Sequence, residues 1–343
     1  MTGVLGWDIG GVNTKGARVV GTRVVAARAD PYELQRDPAA LAPLLRHLAL
    51  ELGGEPHDAH AVTMTAELSQ LFRTKREGVG FVLDAVAAAF PGAMVRVWGV
   101  DARWRTPAEA RRVPLVVAAA NWAATARAVG RTVRDCLLVD TGSTTTDIIP
   151  IVAGEPVAAG RTDPERLERG ELVYSGALRT PTEAIAPRVP VGGQPTAVSA
   201  EGFALAGDVH LWRGQLAPTD YTVPTPDGRA ATREGAGERL ARVVCGDREM
   251  LDAAAISAIA DALWEAQVSR IAESVARVRA RHPELERAVV TGLGDFLAAA
   301  AAERVGLQVT HLGDALGPAA RHAGAVSVAL LLAAEQTADA IAS

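Results

Sequence analysis

Near the start of the chain, apolar residues come in short runs separated by polar turns; further on they recur at helical spacing. Val4-Leu5-Gly6-Trp7 and the stretch from Ala17 to Val20 flank a glycine-bearing polar segment, which predicts a hairpin over residues 4–28. Leu41, Leu44, Leu45 and Leu48 fall on one helical face and predict a helix from Pro38 to Glu51. His60 to Thr65 reads as a buried strand ending in the polar cluster Thr65-Ala66-Glu67-Leu68-Ser69. Val79 to Phe90 is amphipathic and stopped by Pro91-Gly92. Met94 to Val100 reads as a strand, and residues 114–128 as an apolar helix holding Asn121 and Trp122.

A second unit is expected from residue 132 to 317, with a loop-rich, proline- and glycine-bearing insertion at 162–233 suited to a lid or binding region. Helices follow at about 238–245 and 249–280, then a strand at 287–291 running into Gly292-Leu293-Gly294, an alanine-rich helix and a strand at 305–312. A last helix, about 318–339, is expected to rejoin the first lobe, residues 1–131.

One pattern occurs twice. Asp8-Ile-Gly-Gly-Val-Asn-Thr-Lys15 is echoed by Asp140-Thr-Gly-Ser-Thr-Thr-Thr-Asp147, with Asp8/Asp140, Gly10/Gly142 and Thr14/Thr146 in the same register. Each copy joins two apolar runs, so each predicts strand, tight turn, strand. Such turns gather backbone N–H groups into an anion-binding concavity. Gly10, Gly11, Asn13 and Thr14 in one copy, and Gly142, Ser143, Thr144 and Thr145 in the other, are the candidate phosphate contacts. Asp8 and Asp140 are candidate ligands for Mg²⁺, which favours one or two carboxylates plus water and phosphate oxygens. Two facing copies would clamp a polyphosphate.

Composition removes several function classes. The content is 49% hydrophobic and 22% charged, that of a packed globular protein, and the length favours two domains. A net charge of −5 leaves no broad basic field for nucleic acid. Cys136 and Cys245 form no CxxC pair, which argues against a disulfide scaffold or zinc cluster. The uncharged stretches 113–126 and 323–334 are short for a membrane span. With a strand beginning almost at once, no signal peptide is expected, and the expectation is a cytoplasmic protein with small-molecule partners, neither membrane nor nucleic acid, and compatible with a homodimer.

Two DxGxxxT turns and the third glycine turn resemble those of the actin-like ATPase superfamily. That resemblance implies an actin-like (ribonuclease H-like) α/β fold of two duplicated lobes with mixed sheets flanked by helices. A narrower set of residues resembles a small family within the hydantoinase/oxoprolinase group: Gly6-Trp-Asp-Ile-Gly-Gly-Val-Asn-Thr-Lys15, Thr65-Ala-Glu-Leu68, Lys75-Arg-Glu-Gly-Val79, Ala120-Asn-Trp122, Tyr174-Ser-Gly-Ala-Leu-Arg179 and Ala206-Gly-Asp-Val-His210. Val12 and Gly16 stand where that family is expected to carry alanine. Its archaeal members serve methanofuran biosynthesis, joining an aminomethyl-furanmethanol diphosphate to γ-glutamyltyramine with release of pyrophosphate. The sparse lysine (Lys15 and Lys75 alone) is compatible with a bacterial relative using tyrosine in place of tyramine.

That chemistry gives the residues roles. Lys15, Mg²⁺ and the turn amides would neutralise the leaving diphosphate. A phenol with an ordinary pKa of about 10 needs a base; Glu67 is the first candidate, with Asp147 and His210 behind it. Asn121, Tyr174, Arg179, His210, Gly292 and Gly294 are candidate substrate contacts, Arg179 as a fork for a carboxylate.

Each role has a plainer rival. Asp8 and Asp140 also suit turn capping, Lys15 a solvated hairpin edge, Glu67 a helix cap, Asn121 a buried amide and Arg179 a structural ion pair. Asp208 and His210 lack a visible third metal ligand. ATP is possible but not expected as a cofactor. The alternatives for the whole chain are an ATP-dependent small-molecule kinase and a nucleotide-dependent regulatory protein.

Overall fold

The computed structural model describes residues 3–342. Its contacts divide the chain into two units. The first takes in the chain as far as Cys136, the segment Ile149–Arg166, and the chain from His311 onward. The second comprises Leu137–Ile148 and Leu167–Thr310.

The first unit is built on six strands: β1 (Gly3–Ile9), β2 (Asn13–Val20), β3 (Arg23–Pro31), β4 (Ala59–Met64), β5 (Val95–Trp98) and β6 (Trp104–Arg105). They lie in the order β3-β2-β1-β4-β5-β6. β1 pairs antiparallel with β2 and parallel with β4, so the sheet is mixed. Every residue of β1 is buried, as a strand covered on both faces must be. Alternation sorts its side chains. Leu5, Trp7 and Ile9 join Leu41, Leu45 and Leu48 of the helix Leu41–Glu51, and Val79, Val82 and Val86 of the helix Lys75–Ala89. Val4 faces the other way, toward Val328, Ala329 and Leu332 of the last helix, Ala323–Ala342.

That last helix contacts the sheet almost backbone to backbone. A Cβ on Gly6 would lie 2.1 Å from the Ala325 carbonyl oxygen and 2.8 Å from Ala329 Cβ. Glycine on the strand and alanine on the helix are what permit the approach. By length and composition Gly313–Ala338 is apolar enough to cross a bilayer, which the short uncharged stretches did not suggest; it also carries Asp314, Arg321 and Glu335. Its residues Ala325, Val326, Val328, Ala329, Leu331 and Leu332 are buried in the first unit, as expected of a core helix.

A second sheet holds β7 (Cys136–Thr141), β8 (Thr146–Val152), β9 (Glu155–Pro156), β10 (Leu172–Val173), β13 (Arg287–Thr291) and β14 (Gln308–His311). Their order is β10-β8-β7-β13-β14, with β9 paired to the end of β8. β11 (Arg188–Val191) and β12 (Gln194–Ala197) form a separate hairpin. The helices Arg233–Arg242 and Ala253–Arg279 share a core with Val209 and Trp212, built around Leu240, Ile256, Ile259 and Leu263.

Three expectations change on contact with the structure. The helix expected over 114–128 is two helices, Pro114–Val117 and Asn121–Gly130, parted where Ala119 takes a φ of +48°. The region 162–233 is less loop-rich than its prolines suggest. It carries the helices Asp163–Arg169, Thr182–Ile185 and Ala206–Trp212 besides the β11–β12 hairpin. Ile149–Arg166 belongs with the first unit rather than the second. There Arg127 pairs with Glu155, and Gly130 passes so close to Gly154 that a Cβ would sit 2.3 Å from its carbonyl oxygen.

The strand–helix contact at Gly6 sets a testable cost. Gly6→Ala overpacks a rigid backbone contact and is expected to lower stability by about 1–3 kcal/mol. The shift in the urea unfolding midpoint at unchanged slope measures it.

Candidate functional site

The two aspartate–glycine turns share a hydrogen-bond plan. In the first, the Gly10 N–H donates to the Asn13 carbonyl at 3.0 Å. In the second, the Gly142 N–H donates to the Thr145 carbonyl at 2.9 Å, the same relation 132 positions on. Behind each turn a later segment engages its carbonyls. Tyr32 and Leu34 N–H groups donate to the Val12 and Gly11 carbonyls, both at 3.0 Å. Ala177 N–H donates to the Gly142 carbonyl, and Leu178 and Arg179 N–H groups to that of Ser143, at 2.9–3.0 Å. A carbonyl held to one side turns its peptide N–H to the other. The amides of Val12 and Asn13, and those of Ser143 and Thr144, therefore face away from the supporting segment, and a Cβ on Gly11 would meet nothing within 4 Å. Gly142, Ser143, Thr144 and Thr145 are partly exposed, as are Gly11 and Asn13, whereas Thr14 is fully buried.

Asp8 shows how the fold places a carboxylate. Alternation along β1 puts it on the face toward the last helix, where a Cβ on Gly324 would lie 2.8 Å from its Oδ2. The N-terminal end of that helix favours negative charge. Lys15 Nζ lies 3.6 Å from Asp8 Oδ2, which ties this lysine to the turn rather than to a solvated edge. His322, just before the helix and not singled out by the sequence, is kept neutral. Burial, then the charges of Lys15 and Arg321, push its imidazole down to about 4.

In the second unit the third glycine turn lies directly on Asp140. Gly292 has a φ of +95°, and a Cβ there would meet the Thr141 carbonyl oxygen at 2.3 Å and Asp140 Oδ1 at 2.5 Å. The Gly294 N–H donates to the Thr141 carbonyl at 2.8 Å. Gly292 is required by backbone proximity, and Gly294 by the Thr141 methyl, 2.6 Å from a Cβ there; both candidates thus lie at the aspartate turn. Tyr174 and Arg179 flank the supporting segment with exposed side chains. Among the described residues no three His, Cys, Asp or Glu side chains gather as a metal cluster. A cation at either aspartate would complete its shell from water and phosphate oxygens, as Mg²⁺ does.

His210 does not stand where a substrate contact or base belongs. It is fully buried, with its ring edge-on to Trp264 and Phe296. Nε2 meets Gln267 Oε1 at 3.1 Å, and burial pushes the imidazole down to about 4, so it stays neutral. Gln267 Nε2 in turn donates to Ser175 Oγ (3.0 Å) and to the Gly176 carbonyl (2.9 Å), at the base of the segment behind the second turn. The pair His210–Gln267 is a support. Asp208, two residues earlier, pairs with the buried Arg239 at 2.8 Å and is no metal ligand with His210. Asp147 lies within β8, opposite Leu172 on β10, and is 7% exposed.

Glu67 is the most unusual acid of the first unit. It sits in the single turn Ala66–Leu68 after β4, and its side chain is 0% exposed. Neither carboxylate oxygen has a hydrogen-bond partner at ordinary distance, although its own backbone N–H and the Lys75 ammonium, 3.7 Å from Oε1, both favour the charged form. Burial raises its carboxyl to about 7, against the opposing pull of Lys75. The helix Lys75–Ala89, capped by Thr74 Oγ1 accepting from the Glu77 N–H, presses on this turn through Gly78. A Cβ there would fall 2.5 Å from Glu67 Cα, so a residue that weakens a helix interior by about 1 kcal/mol is needed for the contact. Asn121, half-buried, opens its helix next to Trp122, over whose ring Arg166 stacks at 4.4 Å. Lys75, Asp163 and Arg166 were not among the sequence candidates; only Lys75 lay within a motif.

Comparison with known proteins follows this geometry. The hydantoinase/oxoprolinase family profile matches residues 58–333. The chain is 38% identical over 293 residues to the (4-{4-[2-(γ-L-glutamylamino)ethyl]phenoxymethyl}furan-2-yl)methanamine synthase of Methanocaldococcus jannaschii, covering 85% of this chain and 86% of that protein. It is 39% identical over 162 residues to the synthase of the same name from Methanococcus vannielii, covering 47% of this chain and 72% of the other. Two solved structures share the fold. Component A of the (R)-2-hydroxyglutaryl-CoA dehydratase of Acidaminococcus fermentans superposes with a TM-score of 0.51 at 11% identity, over 98% of this chain and all of the other. A ROK family glucokinase of Streptomyces griseus gives 0.50 at 12% identity, over 95% and 98%. At such identities the likeness is one of architecture, the actin-like fold.

Gln267 should be felt at the turn it supports. Gln267→Leu removes the donor to the Ser175 hydroxyl, one of two donors to the Gly176 carbonyl and the partner of His210 Nε2, and is expected to cost about 1–3 kcal/mol. Amide exchange at Ala177 and Leu178 should quicken more than at the strand β13, which hydrogen-exchange mass spectrometry resolves.

Proposed function

The chain belongs to the hydantoinase/oxoprolinase family, and on that premise we propose that it is a transferase of methanofuran or methylofuran biosynthesis. It would join an aminomethyl-furanmethanol diphosphate to the phenol of γ-glutamyltyramine, or of a tyrosine analogue, and release pyrophosphate. The observation that carries this reading is the near-full-length likeness to a synthase whose name describes a phenoxymethyl-furan, the ether such a joining makes.

The residues divide the work. The furan oxygen stabilises positive charge on the adjacent carbon, so the diphosphate is primed to leave. The outward amides of Val12 and Asn13, and those of Ser143 and Thr144, are proposed donors for the departing oxygens, with Lys15 adding positive charge. Such preorganised donors contribute a few kcal/mol each. Mg²⁺ held by Asp8 or by Asp140, when bound, would neutralise diphosphate charge. Glu67 Oε takes the phenol proton as the phenol oxygen bonds to the furfuryl carbon and the C–O bond to diphosphate breaks. A buried carboxylate whose neighbouring donors lie beyond ordinary hydrogen-bond distance is suited to receive a proton from substrate. Arg179, exposed, is the proposed contact for a substrate carboxylate, with Tyr174 and Asn121 lining the acceptor.

Incubation of the protein with Mg²⁺, the furan diphosphate and γ-glutamyltyramine or tyrosine, followed by mass spectrometry, tests the reading. An ether with one pyrophosphate per product is expected. ADP formed from ATP without ether would instead favour a kinase. Asp8→Asn and Asp140→Asn should each lower kcat/KM by about 10²–10³-fold, with unfolding midpoints close to wild type.

A further inference from the structure

The cluster around Glu67 contains more than a base. Lys75 Nζ lies 3.7 Å from Glu67 Oε1, too far for a tight hydrogen bond, but 2.6 Å from Asp163 Oδ2. The lysine is thus shared between two carboxylates and held by the farther one in sequence. Asp163 is steadied in turn by Arg166, whose Nη1 lies 3.9 Å from Oδ1 and whose guanidinium stacks on Trp122. The charged groups facing Glu67 are Lys75, on the helix packed over it, and Asp163, on the helix Asp163–Arg169. Their effects oppose: the ammonium favours the ionised Glu67 carboxyl, and the Asp163 charge disfavours it.

An isolated buried carboxyl would remain protonated and accept nothing. A carboxylate in a full hydrogen-bonded ion pair would be too weak a base for a phenol. We propose that Lys75 and Asp163 are positioning residues for Glu67: Lys75 supplies the charge that lets the carboxylate form, and Asp163 holds the ammonium back so that its oxygens stay open for the phenol proton. The inference rests on the reading of Glu67 as base. Its step balances without further reagents. The phenol proton passes to Glu67, and the electron pair of the broken C–O bond leaves with pyrophosphate.

The test uses opposite substitutions and two readouts. Full-length protein labelled with δ-¹³C-glutamate gives the Glu67 titration directly, its resonance assigned by its loss in Glu67→Gln, with no substrate present. Lys75→Met should raise the Glu67 midpoint by about one unit or more, while Lys75→Arg, which keeps the charge, should leave it near wild type. Asp163→Asn should lower it, because it removes a negative charge and releases the ammonium to Glu67. The acid limb of kcat/KM should follow in the same directions, making Lys75→Met about tenfold slower on that limb. Midpoints that stay put, or move the same way in both variants, overturn the proposal. Opposed midpoints with an unmoved rate profile also overturn it, by removing Glu67 as the base. If wild type makes no ether while the midpoints move apart, the proposed reaction has failed and the electrostatic coupling has not.

Discussion

Each aspartate–glycine turn keeps its shape because its carbonyls are already engaged from behind. Tyr32 and Leu34 do this for the first turn, and the Ala177–Arg179 segment for the second. A flexible glycine loop would have to order itself around an anion at an entropic cost. Here the peptide planes are fixed beforehand, so their N–H groups form a standing donor set. Much else serves that arrangement: strands β1 and β7 deliver the aspartates, and Gln267 with His210 braces the second support.

Backbone proximity is the second constraint. Gly6 admits the last helix to β1, Gly78 admits a helix to the Glu67 turn, and Gly292 and Gly294 admit the third turn to Asp140 and Thr141. At Gly6, Gly78 and Gly292 a single methyl would collide with backbone atoms or a carboxylate, and at Gly294 with the Thr141 side chain. These glycines weaken their own elements and sharpen the site. Function in this chain therefore depends on residues with no side chain as much as on the charged ones.

The duplicated turns were legible because their chemistry is local: aspartate, glycine and threonine recur in one register between apolar runs. Most strands and helices followed from periodicity, and the mixed sheets from the resemblance to the actin-like superfamily. The Glu67 cluster was legible only in part, since Lys75 and Asp163 meet across 88 positions and Arg166 reaches Trp122 from a different element. No spacing rule announces such a meeting. His210 was misleading for the converse reason. Read as a base and substrate-contact candidate in a loop-rich region, it lies on the buried helix Ala206–Trp212, where the hydrogen bonding that also suits Asp208 and His210 is met by Arg239 and Gln267 from distant helices. Polar residues announce a hydrogen-bonding need; whether protein or substrate meets it is decided by tertiary packing.

The central proposal is that the aspartate–glycine turns bind phosphate oxygens. Calorimetric titration of the substrate-free protein with pyrophosphate, with and without Mg²⁺, tests it most directly. The account predicts saturable, Mg²⁺-enhanced binding that weakens at least about tenfold when Ser143→Pro removes one turn amide, a loss of about 1.4 kcal/mol. Absence of binding, or binding untouched by Mg²⁺ and by that substitution, would contradict it.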